Sequence, residues 1–259
     1  MDLVVEMEWK NYQFSHHLKT YLQKVEDETG RHIKILESQN LGVRGISVGF
    51  RYHPQYILII INPAVKRSIT DFERSIAHEA THGYILHKLG YCRPLFTYET
   101  PAKIQQMTHL LFTIVEDLVV NKIIQDNGFL PFGSEYIPML KREVEVAEKG
   151  EQSGERFYHL FSPDPQTEDI LMISRYIIAW GFLNYQSFEK DVQDQIQEFL
   201  QKFQQHYPHH YPRAKIFQEM IQKHDIFTAK GQCQAMKEII SLWGLENQVM
   251  FERNSEKKL

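Results

Sequence analysis

Apolar positions recur at helical spacing between residues 8 and 28. Tyr12, Phe14, Leu18, Leu22 and Val25 stand in a polar background, and Gly30 follows as a stop. Three strand patterns come next. His32–Glu37 alternates, with Ile33 and Ile35 on one face. Gly45–Tyr52 puts Ile46, Val48 and Phe50 on one face. Tyr56–Ile61 is continuously apolar, as in a strand buried on both faces, and Asn62-Pro63 closes it. The period then becomes helical. Thr70 and Glu73 have capping-box spacing, which predicts a helix from Thr70 to Leu89 ending at Gly90. Thr100 as N-cap and Pro101 at the first helical position open another, which runs to about Gln125 and stops at Asn127-Gly128. From Leu130 onward every strong signal is helical, for example Val192, Ile196, Phe199, Leu200 and Phe203. The order predicts an α+β fold: a small sheet with two long helices, then an all-helical C-terminal lobe. A boundary near Pro131–Gly133 divides the 259 residues into 1–130 and 131–259, unless the two pack as one unit.

Composition narrows the function classes. Apolar residues make up 42% and charged residues 24%, an ordinary globular balance. The net charge of −4 gives no basic surplus for phosphates, so no nucleic-acid partner is expected. Two cysteines, Cys92 and Cys233, exclude a disulfide framework and an all-cysteine zinc site. The first residues are acidic and lack the basic and apolar regions of a secretory signal, and no apolar run is long enough for a bilayer. No membrane association and a cytoplasmic location are therefore expected. Thirteen histidines are the surplus that asks for an explanation.

Two of them lie in His78-Glu79-Ala80-Thr81-His82, inside the capped helix that follows the strands. Residues four apart share a helix face, so both imidazoles reach one ion. Glu79 is one step round, where its carboxylate meets a metal-bound water and serves as general base. Ile76, Ala77, Ile85 and Leu86 anchor the helix in a core. The plain alternative is an ordinary helix with two histidines on a solvated face.

The capped helix, its motif, the preceding strands and the second helix resemble the zincin metallopeptidases over roughly residues 30 to 128. That resemblance implies His78 and His82 as zinc ligands, Glu79 as the base, and a third ligand downstream. In one branch a glycine and a histidine continue the string. Here Ile85 and Lys88 stand there, which rejects it, and His87 lies about 140° round the helix from His82. The other branch, gluzincin-like, takes a carboxylate from the next helix, where Glu116-Asp117 and Asn121 occur. His109, Thr113, Asp117 and Asn121 form one polar stripe, which favours Asp117, with Asn121 as a partner for a ligand histidine. Glutamate is the commoner ligand in that branch and reaches further, so Glu116 stays a candidate.

The expected function is a zinc-dependent peptidase (cofactor Zn2+) acting on a peptide or protein substrate, the extended peptide adding to the sheet edge. A zinc-binding module of the same fold without catalysis, acting in partner binding or regulation, is the alternative. Arg156, Tyr158 and His159 are candidates to stabilise an oxyanion. The tract His206–Pro212 reads as a proline-punctuated loop, and the adjacent His16 and His17 face apart.

Overall fold

A computed structural model describes residues 6–38, 48–131, 137–138, 140–142 and 164–253. Its described residues form two compact units. One holds residues up to Gly90 together with Ile123–Leu130; the other holds Tyr91–Lys122 and the described residues from Pro131 to Arg253.

In the first unit, strand β1 (Glu6–Glu8) and a 3-10 turn (Trp9–Asn11) precede helix α1 (His16–Thr29). The helix expected over 8–28 is thus shorter by two turns. Ser15 decides this, because its side chain accepts the Leu18 N–H and caps the helix there. Gly30 closes α1 in the left-handed region at φ 62°. Strands β2 (Ile33–Glu37), β3 (Val48–Arg51) and β4 (Ile57–Ile61) then form a mixed sheet with β1, in the order β1-β2-β4-β3. β2 runs parallel to β4, and β3 is the antiparallel edge strand beside it. Gly45–Ser47 of the second expected strand, Gly45–Tyr52, lie outside the described residues. Every side chain of β4 is buried, as a continuous apolar run requires.

Helix α2 (Ile69–His87) packs on β3, β4 and α1. Its N-cap is Ser68 and not Thr70: the Ser68 hydroxyl accepts the Asp71 N–H at 3.1 Å and donates to the Asp71 carboxylate. Ser68–Asp71 has the same three-residue spacing as Thr70–Glu73, so spacing alone does not separate them. Glu73 caps the other helix instead, accepting the Ser15 N–H and hydroxyl at 2.6 Å each.

Gly83 marks the closest approach of α2 to the sheet. A Cβ there would stand 2.6 Å from the fully buried Ile57 side chain. Gly83→Ala is therefore expected to destabilise by about 1–2 kcal/mol net, overpacking exceeding the gain in helix propensity. A thermal melt should show a loss of about 2–8 °C.

In the second unit, β5 (Cys92–Leu95) pairs antiparallel with β6 (Met250–Arg253), and α3 (Ala102–Asp126) runs on into the first unit. α3 starts one residue later than expected, with the Pro101 carbonyl accepting the Gln105 N–H. Helices α4 (Pro165–Tyr185), α5 (Lys190–His206), α6 (Tyr211–Lys223) and α7 (Ala229–Leu242) complete the unit. The fold is α+β with a mostly helical C-terminal region. Among the described residues from 131 onward, strand β6 departs from the all-helical expectation. α4 packs on α5 and α6, α6 on α7, and α7 on β5. Gln232 of α7 is fully buried and bonds both the N–H and the carbonyl of Cys92.

Asp169 of α4 ties this unit together, accepting from His210 at 2.9 Å, from Arg213, and from the Trp243 indole at 3.2 Å. Burial alone would raise its carboxyl; the His210 and Arg213 hydrogen bonds outweigh that and hold it below the ordinary carboxylate range. A depressed folded pKa stabilises above the unfolded value and is lost as pH falls through the folded one. Asp169→Asn should lower Tm by about 2–6 °C at pH 7, and melts on descending to pH 3 should show that gap closing.

Candidate metal centre

α2 brings two histidines of the motif to one face because they lie four residues apart. Both are buried, His78 at 6% and His82 at 7% exposure, so neither lies on a solvated face. Their Nε2 atoms stand 3.2 Å apart with the rings at 73°. Two nitrogens held tetrahedrally at zinc–nitrogen distance are separated by about 3.3 Å. The pair thus already has the spacing of two ligands on one ion. Each nitrogen that binds an ion does so with its lone pair, in the neutral imidazole with its proton on the other ring nitrogen.

The surroundings hold the pair in place. Phe50 of the edge strand lies nearly parallel to the His82 ring, with centroids 6.0 Å apart. On the neighbouring face of α2, the Thr81 hydroxyl donates to the Ala77 carbonyl and receives the Tyr21 hydroxyl of α1, both at 2.6 Å. Ala77 and Ala80 are fully buried. The two variable positions of the motif, Ala80 and Thr81, are therefore packing residues, whereas Glu79 is partly exposed.

His78, His82 and Asp117 each offer a ligand atom, and these atoms all lie within 4.8 Å of one another. Glu116, one residue before Asp117 and so about 100° round α3, is not in the group. Its charge acts instead on Tyr91, whose hydroxyl is raised mainly by burial and further by Asp225 and Glu116. The stripe on α3 runs from exposed His109 and Thr113, through half-buried Asp117, to Asn121 at 5% exposure. Two imidazoles and a carboxylate are the donor set of an open zinc site, and the residues present fit that ion.

Several other histidines take other parts. His87 stacks on Tyr52 at 5.7 Å, and His17 stacks on Phe129 at 4.2 Å with its Nε2 on the Asn127 carbonyl. His210 is bound to Asp169. Arg156, Tyr158 and His159 lie outside the described residues. A second group, Glu8 of β1, Glu26 of α1 and His32 of the loop before β2, has no sequence spacing that signals it. Its buried member is engaged structurally: Glu26 accepts the Ile33 N–H at 2.7 Å and pairs with Lys10 at 3.3 Å.

No family model, curated protein or solved structure matches this chain. Among the described residues no helix is long and apolar enough to cross a membrane.

Proposed function

We propose that this chain is a zinc-dependent peptidase, a hydrolase of the zincin kind. The observation that carries the reading is the buried His78–His82 pair, with Nε2 atoms 3.2 Å apart and the Asp117 carboxylate in the same group. His78, His82 and Asp117 would hold the ion. When bound, zinc supplies Lewis acidity, polarising a carbonyl and making water acidic near neutral pH.

Glu79 supplies the base. It follows His78 directly, about 100° round α2, and retains exposure that the two histidines lack. Its carboxylate holds the attacking water, takes its proton and passes that proton to the leaving amine. The substrate is an extended peptide. β3 is an edge strand bonded to β4, so its outer backbone groups suit an added strand. Phe50 of that strand lies on the His82 ring, so a peptide paired with β3 passes beside the histidines.

Metal analysis tests the reading. About one equivalent of zinc, a rise in Tm on adding zinc to stripped protein, and cleavage in a peptide mixture are expected. Under a tenth of an equivalent with no Tm gain removes the metal. Full zinc occupancy without cleavage of any peptide replaces the peptidase with a zinc-binding module.

A further inference from the structure

Strand β3 ends the sheet order β1-β2-β4-β3, and its register with β4 is unbroken from the Val48–Ile61 pair to the Arg51–Leu58 pair. Successive residues of a strand face opposite sides of the sheet. Phe50 stacks on His82 at 6.0 Å and Tyr52 on His87 at 5.7 Å, so these alternate positions face α2. Gly49 and Arg51 therefore face the other side. There the row across the sheet through Gly49 runs Leu36, Ile60, Gly49, and the row through Arg51 runs Lys34, Leu58, Arg51.

Nothing in the fold requires a glycine at position 49. Glycine weakens a strand interior, and it marks a bulge, a tight bend, or the close approach of a ligand or another backbone. The unbroken register leaves no bulge or tight bend. The φ of Gly49 is not positive, unlike that of Gly30. Among the described residues, a Cβ at Gly49 would meet nothing within 4 Å, so no neighbour excludes a side chain. The approach of a ligand is the reason that is left, and a strand added to this edge is such a ligand.

A peptide paired with β3 lies about 4.8 Å beyond it, each side chain on the same face as that of its partner. The residue opposite Phe50 faces the histidines. Its two neighbours lie opposite Gly49 and Arg51, on the far face. Opposite Gly49 a side chain meets the open end of an apolar row, and a ring laid over an edge glycine completes that row. Opposite Arg51 it meets an exposed guanidinium whose neighbours in register, Gly49 and Leu58, carry no charge. A carboxylate complements it.

We propose that Gly49 and Arg51 determine specificity, selecting an aromatic and an acidic residue two positions apart, one on each side of the substrate residue that faces His82. The proposal rests on the peptidase reading and adds the substrate class to it. Cleavage of a randomised peptide library by zinc-loaded protein reads the preference. An aromatic residue at one position, and Asp or Glu two positions away, should each be enriched about threefold or more. Gly49→Val fills the open place with a strand-favouring side chain. It should remove the aromatic enrichment, with Tm unchanged or higher. Arg51→Glu should replace the acidic enrichment with a basic one. NMR titration of metal-free protein reads binding without turnover. The probes are acetyl-Thr-Phe-Thr-Glu-Thr-amide and the peptide of reversed order, and at least one should shift the amides of Gly49, Phe50 and Arg51.

Cleavage without both enrichments, or an enrichment that its variant leaves in place, overturns the assignment and leaves the peptidase reading standing. So does a fall in Tm for Gly49→Val, which would mean that the fold itself needs the glycine. So does a titration with no shift in β3. No cleavage of any peptide overturns the peptidase reading, and the assignment with it, whatever the titration gives.

Discussion

Glu79→Gln is expected to lower peptide hydrolysis by about 10³-fold or more while leaving zinc bound. The exchange keeps the size of the side chain and removes its charge together with its capacity to take a proton. Glu79 lies outside the ligand group and is partly exposed, so neither the donor set nor the core changes. Elemental analysis should return the wild-type zinc content, and Tm should stay within about 2 °C. The informative comparison is kcat at saturating substrate, because the lost interaction belongs to the transition state. Activity within tenfold of wild type would assign the proton transfer to another group.

The second large effect concerns the ligands. His82→Ala should weaken zinc binding by about 10³-fold or more. Asp117→Ala should weaken it by more than the roughly 10–100-fold that outer partners contribute. Glu116→Gln should leave it within about threefold. The contrast follows from the helix: adjacent residues point about 100° apart, and the described ligand atoms include Asp117 without Glu116. Competition titrations against a chelator of known affinity provide the measurement, with circular dichroism to show that each variant is folded. Equal losses in Asp117→Ala and Glu116→Gln would mean that the charge of this helix matters and neither residue individually.

Much of the candidate centre was legible in the chain. Spacing of four on a helix brings His78 and His82 together whatever surrounds them, and the apolar flanks put that helix in a core. The choice between Glu116 and Asp117 was less legible, because both fit a carboxylate requirement. The polar stripe through His109, Thr113, Asp117 and Asn121 runs from exposed to buried positions, so it marks one face of α3 without choosing the ligand. Phe50 against His82 was not legible at all: nothing local links an edge strand to one turn of a later helix.

The same division runs through the fold. Elements whose cause is local could be read directly: the glycine stops at Gly30, Gly90 and Gly128, all at positive φ, and the uninterrupted apolar run of β4. Strands β1, β5 and β6 escaped because their short segments show no apolar alternation of the kind that marks β3. They exist through pairing with partners far along the chain, Cys92 with Arg253 for example. The exchange of caps at α2 has the same origin. Thr70 and Glu73 have capping spacing, yet Glu73 bonds Ser15, fifty-eight residues away. By itself, then, the sequence determined the α+β class, the helix that carries the motif, and the two histidines on one face, because period and spacing act within a few residues. Tertiary structure alone decided which residues cap each helix and which aromatic side chain lies beside His82, because these depend on contacts between segments that no local pattern encodes.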